Sequence, residues 1–381
     1  MQHNLNIWLI ALHSPHSEIF LHYFLKYAFV AYSEISRSGI VLTAQSGYGE
    51  TMSAKQVNWP RSKHSYVDLS DGRRLHVVEH LPFSGAAATT TAPAAQSAAK
   101  PGPAAISGPA AAPAADALTG PATDHGTSAK PPVVFESGLG LSRLLWANVA
   151  HLLAKAGYHT ISYDRSGLGL SPAATERNLE ALVADLEQVV QTYAPQGAII
   201  VGHSYGGIMA RLLTARQPQL VKALVLVDPS SEFVGAQIGP LGKRLEALFD
   251  SAITFSRDLK LLPVFLMAAG YKHLPVRLQQ KVRVEDVSDA ALKARRQENK
   301  GYYPALAKLR EQPLPHPQVP VEILLASSSP DSQWFKAHSE YASKLPDAHL
   351  WQASTSSHMV PLLKPQEVAL AVKQADARRS A

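Results

Sequence analysis

The sequence predicts an α/β fold with a mostly parallel, twisted sheet flanked by helices, and three observations lead to this prediction. Short apolar runs, such as residues 198–201 and 223–227, alternate with segments of helical periodicity from residue 133 onward. Strands that are apolar along their whole length need cover on both faces, as in parallel sheets. A Gly-rich turn joins the run 198–201 directly to a helical segment. The chain of 381 residues is 46% hydrophobic, which suffices for such a core.

Charge and composition exclude several other classes of protein. The formal net charge is +6, and the basic residues are spread along the chain, so we expect no nucleic-acid partner. The absence of cysteine excludes disulfides, thiolate zinc sites and a cysteine nucleophile. Gly138 and Gly140 lie in a Gly-rich loop, but this loop lacks the lysine and the serine or threonine of a phosphate-binding loop. We therefore expect no cofactor and no metal.

Residues 1–55 form an N-terminal extension of uncertain order. Its apolar runs are shorter than the roughly 20 residues that a membrane span needs, and no basic residue precedes the first run as in a secretory signal. We expect a cytoplasmic protein. Residues 19–32 could form an amphipathic helix at a membrane surface, so weak membrane contact through this extension, or through the basic segment 231–312, is kept as an alternative.

The regular alternation of strands and helices is interrupted twice. The core is predicted over residues 60–230 and 313–381, beginning with a hairpin around Ser70-Asp71-Gly72. Residues 84–130 are almost entirely Ala, Pro, Gly, Ser and Thr, which predicts a disordered insertion. Residues 231–312 have helical periodicity and no convincing strand, which predicts a helical lid between the strands that end near Asp228 and Ala326. Sites in parallel sheets lie at the carboxyl ends of strands, where such a lid would cover them.

The turn after residue 201 has the pattern G-x-S-x-G, from Gly202 to Gly206. A strand that turns sharply into a helix can expose one side chain only if its neighbours lack bulk, and Gly202 and Gly206 meet this need. The same turn directs the first free N–H groups of the helix toward whatever the serine attacks. This context predicts that Ser204 is a nucleophile.

A serine nucleophile needs a base and an acid that orients the base. His358 follows the last predicted strand and precedes the last helix, so it is the predicted base, whereas His203 is expected to pack beside the turn. Two carboxylates lie at strand ends. We favour Asp331, because the chain order Ser, Asp, His then uses the ends of the last two strands. Asp228 is the alternative acid, with a structural role at its strand end if Asp331 is correct.

Backbone donors for an oxyanion are expected at two places. The N–H of Tyr205 follows the nucleophile, and the loop Ser137-Gly138-Leu139-Gly140 offers the N–H of Leu139. The segment from Asp164 to Gly169 is predicted to be a loop held by an Asp164–Arg165 pair.

With these motifs, the sequence resembles the α/β-hydrolase family from about Tyr66 to Ala375. The resemblance rests on residues 137–140, 164–171 and 202–207 and on His358. It implies an α/β-hydrolase fold, a triad of Ser204, Asp331 and His358, and oxyanion donors at Leu139 and Tyr205. Serine at the turn separates the chain from the family's dehalogenases and epoxide hydrolases, which use aspartate there.

The expected activity is that of a serine hydrolase, esterase-like or lipase-like, acting on a small-molecule acyl substrate and most simply on a carboxylic ester. Cleavage of an amide, a peptide or a carbon–carbon bond is an alternative within the same chemistry. A non-catalytic protein that binds a small ligand is the alternative outside it. The sequence does not determine the oligomeric state.

Overall fold

A computed structural model of the protein describes residues 62–82, 130–175, 177–235, 253, 256–258 and 260–380. The predicted N-terminal extension at residues 1–55, including the candidate membrane-surface helix, lies outside these ranges. So does the predicted disordered insertion at residues 84–130, apart from its last residue.

Eight strands form one sheet in the order β1-β2-β4-β3-β5-β6-β7-β8. Strand β1 pairs antiparallel with β2, and β2 pairs antiparallel with β4, while all other pairs are parallel. The strands are β1 (Ser62–Asp68), β2 (Arg74–His80), β3 (Val133–Glu136), β4 (Thr160–Tyr163), β5 (Ala198–His203), β6 (Val221–Val227), β7 (Val321–Leu325) and β8 (Ala348–Gln352). The predicted mostly parallel sheet is confirmed.

Helices cover both faces of this sheet. They are α1 (Ala147–Lys155), α2 (Leu179–Tyr193), α3 (Tyr205–Arg216), α4 (Glu232–Gly235), α5 (Leu262–Ala269), α6 (Val276–Glu285), α7 (Asp289–Glu311), α8 (Gln333–Ser343), α9 (Val360–Leu363) and α10 (Pro365–Arg379). Short 3-10 turns lie at Arg143–Trp146, Pro218–Leu220 and Tyr271–His273.

The apolar strands divide their side chains between two cores. In β5, Ile200 packs into the core under α2 and α3, whereas Ile199 and Val201 pack into the core under α1 and α10. This alternation follows from the two-residue period of a strand. Complete burial of one such side chain stabilises the folded state by roughly 1.5–3 kcal/mol, which explains why the strand is apolar on both faces.

Side-chain caps determine where three helices begin. Asn178 accepts a hydrogen bond from Ala181 N (2.9 Å), Ser288 from Ala291 N (3.1 Å) and Ser332 from Phe335 N (3.1 Å). A cap of this kind contributes on the order of 1 kcal/mol by satisfying an otherwise free N–H. The cap at Ser288 begins α7, the longest helix between β6 and β7.

In the described part of the segment between β6 and β7, the regular secondary structure consists of helices, from α4 through α7. Helix α7 contacts the core directly: the Tyr302 ring packs edge-on against the ring of Tyr205, with centroids 5.1 Å apart, and its hydroxyl lies 2.9 Å from Ser230 Oγ. Hereafter this segment, residues 231–312, is called the helical insertion. Among the described residues, no helix combines the length and apolar character needed to cross a membrane.

Candidate active site

Ser204 lies at the junction of β5 and α3 with φ 52° and ψ −122°. This conformation is unfavourable for a residue with a side chain and costs on the order of 1–3 kcal/mol. Three backbone hydrogen bonds hold it: Ser204 N donates to Val227 O (3.1 Å), and Ser204 O accepts from Gly207 N (2.9 Å) and Ser230 N (3.0 Å). The turn between β5 and α3, hereafter the elbow, therefore has the strained geometry that the G-x-S-x-G pattern predicts.

The glycines around Ser204 are required by close backbone packing. A Cβ on Gly202 would lie 2.6 Å from Gly206 O, and a Cβ on Gly206 would lie 2.6 Å from Ser137 O. Gly138 belongs to the neighbouring loop, and a Cβ there would lie 3.2 Å from Ser204 Cβ. These approaches bring the loop after β3 against the elbow.

His358 pairs with Asp228 rather than with Asp331. Its Nδ1 lies 2.5 Å from Asp228 Oδ2, and Asp228 is 1% exposed at the end of β6. The other carboxylate oxygen, Oδ1, accepts from Ala326 N (3.0 Å) and from Trp334 Nε1 (3.2 Å). Burial acts to raise the pKa of Asp228, but the hydrogen bond and charge of His358, together with Ala326 N–H, hold this pKa below its ordinary value. Asp228 is thus the carboxylate that orients His358.

The prediction that Asp331 is the acid is wrong in its geometry. The Asp331 side chain is 94% exposed and lies 3.5 Å from Lys336 Nζ, in the loop between β7 and α8. The reason is the strand order. Because β6 lies between β5 and β7, the end of β6 is the one beside the elbow. His358, which follows the edge strand β8, reaches back to that position.

His203 is buried beside the elbow, as expected, but it also contacts the base. Its Nε2 lies 2.8 Å from the carbonyl oxygen of His358, and the two rings have centroids 4.6 Å apart. Burial, and next the neighbouring His358, lower the pKa of His203 to about 3. The ring is therefore neutral, and its Nε2 donates to that carbonyl. Together with the bond from Ser204 N to Val227 O, this contact places Ser204, Asp228 and His358 at one edge of the sheet.

The loop that carries Leu139 is held by Arg165 and by a carboxylate of the helical insertion. Arg165 donates from Nη1 to Ser137 O (2.7 Å) and from Nη2 to Gly138 O (2.7 Å). On the other side of Leu139, Gly140 N donates to Glu298 Oε2 (2.7 Å). Leu139 thus lies between two anchored residues.

Glu298 joins this loop to two arginines. Its carboxylate accepts from Arg165 Nε (2.8 Å) and Nη2 (2.9 Å) and also from Arg177 Nη2. The side chain is 1% exposed. Burial opposes its ionisation, but Arg165 and Arg177 outweigh that effect and hold the pKa of Glu298 below its ordinary value. The carboxylate is therefore charged, and buried charges of this kind persist only when they are paired.

The predicted Asp164–Arg165 pair is also wrong. Asp164 pairs with Arg143 Nη1 (2.5 Å) and His76 Nδ1 (3.0 Å), whereas the ion pairs of Arg165 are with Glu136 and Glu298. Successive residues point to opposite sides at the end of β4, so the two side chains reach different partners.

No sequence pattern indicated that Glu298 and Arg165 hold the loop of residues 137–140. Glu298 is separated from Gly140 by 158 residues and stands in a basic helical segment, so no local pattern indicates the contact. Among the described residues, no cluster of three or more histidine, aspartate or glutamate side chains is placed to hold a metal ion. A strained serine beside a histidine–carboxylate pair and a Gly-rich loop is an arrangement suited to acyl transfer.

The fold and this arrangement define the class of protein. A family model described as alpha/beta hydrolase fold matches residues 131–365. The chain therefore belongs to the alpha/beta hydrolase family, and the fold and family that the sequence resembles are confirmed.

Relatives with curated names match shorter stretches. The chain is 34% identical over 110 residues to a putative carbamate hydrolase, RutD, of Variovorax paradoxus (strain S110), covering 28% of this chain and 41% of that protein. It is 29% identical over 126 residues to an sn-1-specific diacylglycerol lipase, ABHD11, of Mus musculus, covering 32% of this chain and 41% of that protein. The chain thus spans about two fifths of the length of these relatives.

Solved structures match over most of the chain. An epoxide hydrolase, CorEH, superimposes with a TM-score of 0.58 at 15% identity, covering 83% of this chain and 99% of that one. Cfl2 from Burkholderia cenocepacia superimposes with a TM-score of 0.56 at 18% identity, covering 83% of this chain and 99% of that one. At this level of identity, the likeness concerns the fold alone.

Proposed function

We propose that the protein is a serine hydrolase that cleaves a carboxylic ester of a small-molecule acyl substrate through an acyl-enzyme on Ser204. The observation that carries this proposal is the 2.5 Å contact between His358 and buried Asp228, at the edge of the sheet where the elbow presents Ser204. Two features of the chain support it further: serine stands at the elbow in place of aspartate, and a relative is named as a lipase.

In the proposed reaction, His358 takes the Ser204 hydroxyl proton as the oxygen attacks the acyl carbon. The Asp228 carboxylate accepts the hydrogen bond from His358 Nδ1, which leaves Nε2 as the base and stabilises the imidazolium that forms. The N–H groups of Tyr205 and Leu139 donate to the oxyanion. His358 then gives the proton to the leaving alcohol and later activates the water that releases the acid.

Carbamate or amide cleavage is the second candidate, favoured by the similarity to a protein named as a putative carbamate hydrolase. Both reactions form a covalent intermediate on Ser204, which is an acyl-enzyme for an ester or amide and a carbamoyl-enzyme for a carbamate. The leaving group and the lining of the site therefore decide between them. A p-nitrophenyl ester and a matched p-nitrophenyl carbamate, compared by kcat/KM, distinguish the two.

The test is hydrolysis of p-nitrophenyl acetate and butyrate, with labelling by a fluorophosphonate probe. The wild type is expected to turn over and to be labelled, whereas Ser204→Ala should lose roughly 10⁴-fold or more in kcat and all labelling. Ser329→Ala, which changes an exposed serine beyond β7, is the matched control and should behave as the wild type. Turnover that survives in Ser204→Ala, or that is absent from the wild type, would overturn the proposal.

A further inference from the structure

A separate cavity of about 140 Å³ lies between strand β2, strand β4 and helix α6 of the helical insertion. Val78 and Ser162 form part of its floor. In the order of the sheet, β2 lies three places from β5, the strand that carries the elbow. The cavity is therefore distinct from the candidate active site.

Among the described residues, basic and imidazole side chains line this cavity and no carboxylate does. They are His64, His80, Arg143, Arg277 and Lys281. Arg277 and Lys281 lie one turn apart on α6, on the same face of the helix. No sequence pattern indicates this cluster, because its members come from the β1–β2 hairpin, the turn after β3 and helix α6.

Two buried polar atoms of the lining have no hydrogen-bond partner among the described residues: Nη2 of Arg143 and Nδ1 of His80. Arg143 is 3% exposed, and its other terminal nitrogen, Nη1, donates to Asp164 (2.5 Å) and Glu285 (2.8 Å). His80 is 7% exposed. A buried polar group without a partner costs roughly 1–3 kcal/mol, so Arg143 Nη2, which can only donate, favours a ligand that accepts hydrogen bonds. His80 Nδ1 can donate to the same ligand in the tautomer that carries its proton there.

Positive neighbours add to the effect of burial on the pKa of both histidines of the cavity. Burial lowers the pKa of His80 to about 4, with further lowering by His151, His64 and Arg277. Desolvation likewise lowers the pKa of His64 to about 4, assisted by His76, Lys281 and Arg143. Positive neighbours that disfavour protonation of an imidazole favour binding of an anion in the same place.

We propose that this cavity binds a compact oxyanion of the phosphate type. Arg143 and His80 meet it at the buried end, and Arg277 and Lys281 meet it from α6. A water molecule's share of liquid volume is about 30 Å³, so a cavity of about 140 Å³ admits an ion of several heavy atoms. Because Arg143 belongs to the core and α6 to the helical insertion, the bound ion ties the two together.

The experiment measures phosphate binding to the full-length protein by calorimetry, and thermal unfolding in sodium phosphate against sodium chloride at equal ionic strength. Phosphate should raise the unfolding temperature more than chloride, because binding to the folded state alone stabilises it. Ser204→Ala should bind phosphate as the wild type does, which separates this cavity from the elbow. Phenyl phosphate in a parallel titration tells whether the site takes a free ion alone or also the head group of a phosphate monoester.

The decisive variant is Arg277→Gln combined with Lys281→Gln, which should weaken phosphate binding at least 10-fold. The control, Lys336→Gln combined with Lys344→Gln, removes the same charge from exposed positions on and after α8 and should leave the affinity unchanged. Equal stabilisation by chloride and phosphate, or undiminished phosphate affinity in the Arg277 and Lys281 variant, would overturn the proposal.

Discussion

Replacing Glu298 by glutamine tests whether the helical insertion positions the loop of residues 137–140, which carries the proposed oxyanion donor Leu139. The carboxylate accepts four hydrogen bonds: Gly140 N and Arg165 Nη2 at Oε2, and Arg165 Nε and Arg177 Nη2 at Oε1. Glutamine keeps one oxygen and replaces the other by an NH₂ group. In either orientation, that NH₂ group faces two donors, so two of the four hydrogen bonds are lost.

The size of the effect follows from these contacts. A hydrogen bond to a charged group contributes about 1.5–3 kcal/mol, so two of them amount to about 3–6 kcal/mol. Removing one partner of a buried ion pair costs about 3–5 kcal/mol, which lies in the same range as the loss of these two hydrogen bonds. We therefore expect Glu298→Gln to reduce the free energy of unfolding by about 4 kcal/mol.

The expected effect on catalysis is separate from this loss of stability. If Gly140 is released, the N–H of Leu139 moves, and a misplacement of about 1 Å in an active site can cost on the order of 100-fold. We expect kcat for p-nitrophenyl butyrate to fall about 10-fold to 100-fold, equivalent to about 1.4–2.7 kcal/mol of transition-state stabilisation. KM should change little, because the loop contacts the oxyanion and not the ground state.

Glu322→Gln is the matched control. Glu322 is a buried glutamate near the start of β7, where its carboxylate lies 3.1 Å from Arg378 Nη2 and 3.1 Å from Trp351 Nε1. It should lose stability as Glu298→Gln does, as measured by urea unfolding, while its kcat stays within about twofold of the wild type. If kcat of Glu298→Gln also stays within about twofold, the carboxylate is structural and the reasoning is refuted.

Two further predictions concern other carboxylates. Asp228→Asn should lower kcat about 10⁴-fold because it favours the wrong tautomer of His358, whereas Asp331→Asn should leave kcat unchanged; equal kcat values in the same ester assay would contradict the assignment. Burial, with Asp164 and Glu285 nearby, raises the pKa of Asp286 to about 7. The folded state therefore binds an extra proton between about pH 4 and pH 7, so wild-type stability falls as pH rises through this window. Asp286→Asn should remove this fall and increase the free energy of unfolding by on the order of 2–4 kcal/mol at pH 8. If urea unfolding gives free energies that depend on pH in the same way for the two proteins, the reasoning is wrong.

The fold and the elbow could be predicted because their causes are local. Three features act within a few residues and can therefore be recognised in the sequence. They are the wholly apolar strands, caps such as Ser288, and the two glycines around Ser204. His358 could also be placed, because it stands in the loop between the last strand and the last helices.

The acid could not be chosen correctly, because the choice depends on strand order. Asp228 and Asp331 both follow apolar strands, and chain order alone favours the later one. The sheet places β6 next to β5, and Asp228 directly follows Val227, to which Ser204 N is bonded. Asp331 stands six residues beyond Leu325, far enough along its loop to reach solvent.

Local sequence patterns also could not predict the contacts that hold the loop around Leu139. Arg165 and Glu298 are 133 residues apart, and their contact depends on how α7 packs over the end of β4. Buried ion pairs of this kind follow from tertiary packing, which overrides the polarity expected of a basic helical segment.

The position of Glu298 affects how this protein could be engineered. Segments between β6 and β7 are an obvious region to exchange when a new substrate preference is wanted, but here that exchange would also remove the counter-charge of Arg165 and the acceptor of Gly140 N. A chimaera built in this way would need a carboxylate at the position of Glu298 before its substrate preference could be compared with that of the wild type.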